Sequence, residues 1–268
     1  MKRNDQMKRT LTLLTVCLLL AAGAACRKDK LEISPEIASS DEQMYNLGDR
    51  YIKKDPEKAR LYFRQIIDSF PKSFYAQRAK LAIADSYFRK GDEGNMIIAA
   101  SEYREFISLY PYSPSASYAQ LQIALCSFKK ALRPGRDQTK TQQALAEFKK
   151  LITNFPLSEE AKTGRENIKQ CEERLAQHIL GIAKHYYRVK AYKASIDRFN
   201  EILSNYVEFS MMDQVYFYIG TCNFISELYK EAQPYFTKLV TDYPESKWAE
   251  KAQKMIEVIR VELENKQP

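Results

Sequence analysis

The segment TKLVTDYPESKWAEKA, from Thr237 to Ala252, indicates the fold of this chain. A run of helix-forming residues reaches an aromatic residue, meets a proline at once, and resumes after a serine. Similar segments occur three times upstream, as RQIIDSFPKSFYAQRA, REFISLYPYSPSASYA and KKLITNFPLSEEAKTG. The chain is therefore predicted to end and restart its helices repeatedly at the same kind of signal.

An alignment on the aromatic residue before the proline brings the upstream positions into register. Each copy has a small residue, then an aromatic ring, then a pair of large apolar residues, and then the final aromatic. The small, first aromatic and final aromatic residues are Ala59, Phe63 and Phe70; Ala99, Tyr103 and Tyr110; Ala144, Phe148 and Phe155; Ser195, Phe199 and Tyr206; and Ala232, Phe236 and Tyr243. Their spacing places them on one helical face, which predicts a buried stripe. The fourth copy has Val207 in place of the proline.

Each repeat is predicted to be a helical hairpin. Proline ends a helix because it lacks an amide hydrogen and disfavours helical geometry in the preceding residue. Ser73, Ser113, Ser158 and Ser246 follow the prolines and are predicted N-caps of the next helix. A single hairpin cannot bury its apolar face, so several hairpins are expected to stack.

The pattern resembles the tetratricopeptide repeat, which implies an all-α fold of helical hairpins stacked into a right-handed superhelix, an α-solenoid. Successive final aromatics are 40, 45, 51 and 37 residues apart, whereas the usual period is about 34 residues. Two segments account for much of the excess: a polar loop at 131–142 and a long helical stretch at 159–190.

The N-terminus has the pattern of a secretory signal at residues 1–25. A basic start precedes the apolar stretch LTLLTVCLLLAA, and GAAC then places small residues before Cys26. This order resembles a bacterial lipobox, so Cys26 is the predicted site of lipidation, although Gly23 stands where leucine is usual. The alternative is an ordinary cleaved signal. Residues 26–43 are then a polar tether between the lipid and the folded repeats.

Composition and charge exclude several classes of function. Only 8 of the 268 residues are glycine, which disfavours a nucleotide-binding sheet. Removing residues 1–25 takes four of the 42 basic residues and one of the 34 acidic residues, and leaves a net charge of +5 spread along helix faces. This distribution does not predict binding to nucleic acid. No catalytic or phosphate-binding motif is found, so the sequence predicts neither an enzyme nor a cofactor.

The metal-binding and redox-active residue types also indicate structural roles. His178 and His185 share a helix face but lack further ligands at metal-site spacing, so no metal site is predicted. Cys126, Cys171 and Cys222 are far apart; one disulfide is possible, but the apolar surroundings of Cys126 and Cys222 favour burial of these two as small core residues. The aromatic-rich stretches KHYYRVKAY and MMDQVYFYIG exceed the needs of the repeat, and some of their rings are expected to line a groove for protein partners.

The order of parts resembles the BamD family of outer-membrane protein assembly lipoproteins. The similar stretches are PEKARLYFRQIIDSFPKSFYAQRAKLAIADSYFRKGD, QALAEFKKLITNFPLSEEA and EERLAQHILGIAKHYYRVKAYKASIDRFNEIL. The resemblance implies a non-enzymatic scaffold, lipid-anchored at the periplasmic face of the outer membrane. Its implied partners are the periplasmic domain of the central barrel subunit and unfolded outer-membrane barrel proteins, while its only contact with the membrane is the lipid.

The resemblance also implies functional residues. Arg198, with Tyr186 and Tyr187, is expected to bind the central subunit. A second set, expected to form a pocket for the C-terminal signal of unfolded barrels, consists of Tyr51, Tyr62 and Tyr87. The predicted organisation is N-terminal repeats at 44–130, the loop at 131–142, C-terminal repeats at 143–262 and a tail at 263–268. The alternative function is a repeat lipoprotein that acts as a scaffold for cell-envelope or peptidoglycan maintenance.

Overall fold

A computed structural model describes residues 34–265. The predicted signal at 1–25 and the predicted lipidation site at Cys26 lie outside this range. The described residues form twelve α-helices and no β-strand, which confirms the all-α prediction. In chain order they are α1 (Pro35–Ala38), α2 (Asp41–Tyr51), α3 (Pro56–Ser69), α4 (Phe74–Lys90), α5 (Glu93–Leu109), α6 (Ala116–Phe128), α7 (Thr139–Asn154), α8 (Glu159–Arg188), α9 (Tyr192–Asn205), α10 (Met212–Ile225), α11 (Tyr229–Asp242) and α12 (Ala249–Asn265). From α1 to α12, none is both long and apolar enough to span a membrane.

Three positions of each repeat are buried, as their spacing predicts, whereas the five final aromatics are half-buried. In all five copies the small residue, the first aromatic and the first apolar residue of the following pair are buried. Their exposed fractions are 0% at Ala59, Phe63 and Ile66; Ala99, Tyr103 and Phe106; Ala144, Phe148 and Leu151; Ser195, Phe199 and Ile202; and Ala232, Phe236 and Leu239. Truncating one of these phenylalanines to alanine would cost about 3–5 kcal/mol of stability.

The second helix of every repeat ends with the same backbone geometry. The final aromatic residue is the C-cap, with φ between −135° and −132° and ψ between 54° and 61° in all five copies. Tyr206, which precedes Val207 rather than proline, has φ −135° and ψ 61°, and its amide donates to the carbonyl of Ile202. Proline therefore accompanies this ending but is not required for it.

The four serines after the prolines start the next helix in two ways. Ser158 is an N-cap whose hydroxyl accepts from the amide of Ala161, and Ser73 directly precedes α4. For Ser113 and Ser246 the N-cap prediction is wrong, because their helices begin three residues later, at Ala116 and Ala249. Their hydroxyls, like that of Ser73, accept from the amide two residues ahead, and their carbonyls accept from the amide three residues ahead, which here closes a turn before the helix.

The chain divides into two compact units after Ala79. In the first unit α2 packs on α3, and Gly48 of α2 lies against the ring of Phe63. In the second unit each helix from α5 to α12 packs on the next one along the chain, and α6 also contacts α8. These contacts produce the helical hairpins expected of tetratricopeptide-like repeats; the right-handed sense of the stack stays a prediction.

The extra length of the middle repeats lies in two elements. α8 is one continuous helix of 30 residues, from Glu159 to Arg188. The loop before α7 covers residues 129–138, so α7 begins three residues before the predicted end of the loop at 142. Buried Gln138 holds this loop, because its side-chain amide donates to the carbonyls of Arg133 and Arg136.

The three cysteines of the described chain are free thiols in the core. Cys126, Cys171 and Cys222 have exposed fractions of 4%, 0% and 0%. Burial raises the pKa of each thiol to about 11. The prediction that Cys126 and Cys222 serve as small core residues is confirmed.

Candidate partner-binding surface

The C-terminal end of α8 carries an aromatic cluster that joins three helices. Tyr187 of α8 lies 5.0 Å from the ring of Tyr218 in α10, measured between centroids, and Phe199 of α9 stacks on Tyr218 at 5.6 Å. Burial raises the pKa of both phenols. Tyr187 is half-buried, so much of its ring holds the helices together and only part of it is open to a partner.

Arg198 is the exposed member of the predicted set, whereas Tyr186 is half-buried like Tyr187. The Arg198 side chain is 49% exposed, and its guanidinium donates to a carboxylate oxygen of Glu201 at 2.8 Å. This hydrogen bond raises the pKa of Arg198, and Tyr186 adds a smaller effect in the same direction. Tyr186 of α8 is thus an electrostatic neighbour of Arg198 of α9, whose guanidinium remains charged.

The turn between α8 and α9 fixes the position of this pair. The amides of Val189, Lys190 and Ala191 donate back to carbonyls in the last turn of α8. Lys190 has a φ of 61°, the left-handed conformation that commonly ends a helix. The chain therefore reverses within three residues and places the start of α9 beside the end of α8.

In the first compact unit, the structure brings together two of the three residues of the predicted peptide pocket. The rings of Tyr51 and Tyr62 stack with centroids 5.8 Å apart, and Nζ of Lys58 lies 4.5 Å from the centroid of Tyr51. Tyr62 is only 2% exposed, whereas Tyr51 is half-buried. Tyr51 and Lys58 therefore present the accessible surface. The third residue, Tyr87, belongs to the second unit and packs against the core formed by α4, α5 and α6.

A polar cluster in the core of the second unit joins two phenols to one carboxylate. The phenols of Tyr103 and Tyr118 donate to the same carboxylate oxygen of Asp85. Burial, followed by the nearby carboxylate, raises the pKa of both phenols, so they stay protonated as donors. The cluster satisfies polar groups inside the repeat core. Among residues 34–265, no group of three potential ligands could hold a metal ion.

The residues around Trp248 were not assigned a role from the sequence. Trp248 stacks on Phe217 with centroids 4.4 Å apart, and the ammonium groups of Lys247 and Lys251 lie 5.2 and 5.4 Å from its ring. The aromatic density of MMDQVYFYIG pointed to Phe217, but its contact with Trp248 depends on the packing of α10 against the start of α12.

Comparisons with known proteins identify the family. A family model described as "YfiO: Outer membrane lipoprotein" matches residues 37–221. A curated relative from Rickettsia prowazekii, called outer membrane protein assembly factor BamD, is 27% identical over 260 residues, which cover 94% of this chain and 98% of the relative. A relative of the same name from Caulobacter vibrioides is 28% identical over 209 residues, which cover 77% of this chain and 67% of the relative.

Solved structures of repeat proteins are more distant. The TPR2AB domain of yeast Sti1 in complex with an Hsp90 peptide is 12% identical, covers 85% of each chain and has a TM-score of 0.45. A tetratricopeptide repeat protein from Parabacteroides merdae is 13% identical, covers 96% of this chain and 98% of its own, and has a TM-score of 0.34. The family assignment depends on the sequence model, which covers well over half of the chain. The protein belongs to the YfiO family of outer membrane lipoproteins.

Proposed function

We propose that this protein is a non-enzymatic scaffold lipoprotein of the machinery that folds and inserts β-barrel proteins into the outer membrane. The observation that carries the proposal is the family match over residues 37–221, together with relatives named outer membrane protein assembly factor BamD. A lipid on Cys26 would hold the protein at the periplasmic face of that membrane.

The surface at Arg198 and Tyr186 supports binding to the central barrel subunit of the machinery. Arg198 is half exposed and already oriented by Glu201, so a partner carboxylate would meet a guanidinium whose rotamer freedom is reduced. Half-buried Tyr186 is an electrostatic neighbour of Arg198, and arginine and tyrosine are both enriched among residues that dominate binding energy. The aromatic cluster around Tyr187 and Tyr218 would keep this surface rigid.

The surface at Tyr51 and Lys58 supports binding of the C-terminal signal of unfolded barrels. Tyr51 offers an aromatic ring that stacks on buried Tyr62, and Lys58 places its ammonium group 4.5 Å from the centroid of the Tyr51 ring. A peptide with apolar side chains and a terminal carboxylate would find both an apolar contact and a counter-charge there.

Two measurements test the proposal. The full-length lipoprotein, purified in detergent, should retain the detergent-solubilised central barrel subunit in a pull-down. Depleting the protein in its host should lower the levels of outer-membrane barrels relative to other envelope proteins. Loss of cell-wall integrity with barrel levels unchanged, and no retention of the barrel subunit, would instead favour the scaffold for peptidoglycan maintenance.

A further inference from the structure

A second surface, on a different part of α8, has the features of a binding cleft. It is lined by Pro134 from the loop before α7, by Met211 from the loop before α10, and between them by one stripe of α8. The cleft encloses about 550 Å³. The stripe consists of Gln177, Leu180, Gly181, Lys184 and Arg188. We call it the basic cleft.

The middle of the basic cleft is open because of Gly181. A β-carbon built at Gly181 would meet no atom within 4 Å outside its own helix, so the glycine is not explained by close packing of a neighbour. Glycine in the interior of a helix costs about 1 kcal/mol relative to alanine. Its effect here is to expose helix backbone between the two walls.

The walls are held in place by specific contacts. Nδ1 of His178 donates to the carbonyl of Pro134 at 2.6 Å, because a carbonyl oxygen only accepts. On the other side, the amide and hydroxyl of Ser210 donate to the carboxylate of Glu173. The two loops are thereby fixed to α8, so the cleft does not depend on a ligand to order it.

Two cations lie along the floor, one helical turn apart. Nζ of Lys184 donates to the side-chain oxygen of Gln214 at 2.9 Å and lies 5.6 Å from the ring centroid of Tyr218, and among the described residues it forms no ion pair. Arg188 is exposed, and none of the ion pairs found within residues 34–265 involves it. Two further arginines, Arg133 and Arg136, are exposed on the loop that carries Pro134.

We propose that the basic cleft binds an acidic, extended segment of a partner protein. Cations one turn apart on a helix, with β-carbons about 6 Å from each other, suit carboxylates on such a segment. The apolar walls at Pro134 and Met211 suit the aliphatic residues between those carboxylates. A phospholipid headgroup would supply the negative charge but would leave these walls facing water, which is why we favour a peptide. The inference does not depend on which complex the protein belongs to.

Fluorescence anisotropy with a labelled peptide of alternating glutamate and leucine tests the proposal on the full-length protein in detergent. The wild-type protein should bind this peptide more tightly than a peptide of alternating lysine and leucine, and added salt should weaken the binding. Arg188→Ala should weaken it about tenfold, the effect of losing a charge-assisted hydrogen bond. Gly181→Leu should abolish it while raising thermal stability, because the new side chain fills the cleft and favours the helix.

The matched control is Arg165→Ala, which removes the same charge from an exposed position near the start of α8. This variant should bind the acidic peptide as the wild type does. Equal binding by Arg188→Ala, Gly181→Leu and the wild type would overturn the proposal. Binding of vesicles containing phosphatidylglycerol that depends on Arg188, without binding of the acidic peptide, would also overturn it by identifying a lipid as the occupant.

Discussion

Gly220 of α10 lies directly against the ring of Phe236 in α11, so that a β-carbon at position 220 would approach Cε1 of the ring to 2.8 Å. The first compact unit has the same arrangement, with 2.7 Å between a β-carbon at Gly48 and Cε1 of Phe63. Both phenylalanines are completely buried. The glycine of one helix and the phenylalanine of the next therefore set how closely the two helices of a hairpin approach.

This contact predicts opposite effects of alanine at two glycines. Gly220→Ala should destabilise the protein by about 1–3 kcal/mol, because the buried Phe236 ring has to shift. Gly181→Ala should stabilise it by up to about 1 kcal/mol, because the site is open and alanine favours the helix. Urea denaturation followed by circular dichroism measures both. Equal effects of the two substitutions would contradict the role assigned to the Phe236 contact.

Proline should be tolerated at Val207, where the fourth repeat lacks it. Tyr206 already has the φ and ψ of Phe155 and Tyr243, which precede prolines. Val207→Pro is expected to stabilise the protein by roughly 0.4–1 kcal/mol by restricting the unfolded chain. Ser204→Pro, inside α9, should cost about 3 kcal/mol and serves as the control. If Val207→Pro lowers the unfolding free energy as much as Ser204→Pro does, the backbone geometry of Tyr206 is not sufficient to accommodate a proline after it.

Glycine should be favourable at the turns that follow α8 and α10. Lys190 and Glu227 have φ values of 61° and 60°, which side chains other than glycine adopt at a cost. Lys190→Gly and Glu227→Gly are each expected to raise the unfolding free energy by about 1 kcal/mol. Lys193→Gly, in the first turn of α9, should lower it by a similar amount. Urea denaturation measures the three variants against the wild type. Midpoints for Lys190→Gly and Glu227→Gly that lie no higher than the midpoint for Lys193→Gly would contradict the prediction.

Alkaline pH should destabilise the protein through its buried thiols. The pKa of Cys126 rises from 9.0 to about 11 on burial, so above pH 9 the unfolded thiol releases its proton while the folded thiol keeps it. Each such thiol should lower the unfolding free energy of the protein by roughly 2 to 3 kcal/mol at pH 11, and this loss is absent below pH 9. Cys126→Ala should show a shallower decline than wild type in denaturation measured from pH 8 to pH 11. An unchanged slope would show that this thiol is not the cause.

Reversing the charge of Arg198 should weaken binding to the central barrel subunit. Arg198→Glu places a second carboxylate beside Glu201 and removes the cation from the surface formed with Tyr186. The dissociation constant is expected to rise about tenfold or more. Arg165→Glu makes the same charge change on an exposed part of α8 and should leave binding unchanged. Surface plasmon resonance with the purified periplasmic domain of the subunit provides the measurement.

The core of the repeats could be predicted because helical periodicity alone determines which residues share a face. Ala144, Phe148 and Leu151 illustrate this: their spacing predicted a buried stripe, and all three are buried. The helix ending at Tyr206 was harder to explain, since the same geometry forms without the proline that indicated it elsewhere. There the final aromatic packs against the core formed by α8, α9 and α10, a contact that no local signal reveals.

The candidate sites were less predictable because they depend on contacts between distant segments. His178 reaches the carbonyl of Pro134, 44 residues away, and that contact forms one wall of the basic cleft. A backbone carbonyl has no sequence signature, so the partner of His178 could not be inferred. Similarly, the stacking of Tyr51 on Tyr62 requires the pairing of α2 with α3. The burial of Tyr62 also follows only from the packed structure.

The pairing of neighbouring helices from α5 to α12 has a consequence for biosynthesis. A hairpin whose partners adjoin it in sequence needs no residue from the far end of the chain, and contacts of this kind form quickly. Each hairpin of the second unit is therefore able to stack on the preceding hairpin as soon as its own two helices have left the ribosome or a translocation pore. The hairpins then fold in the order in which they emerge. A chain whose synthesis stops early should still contain the stacked hairpins that precede the stop.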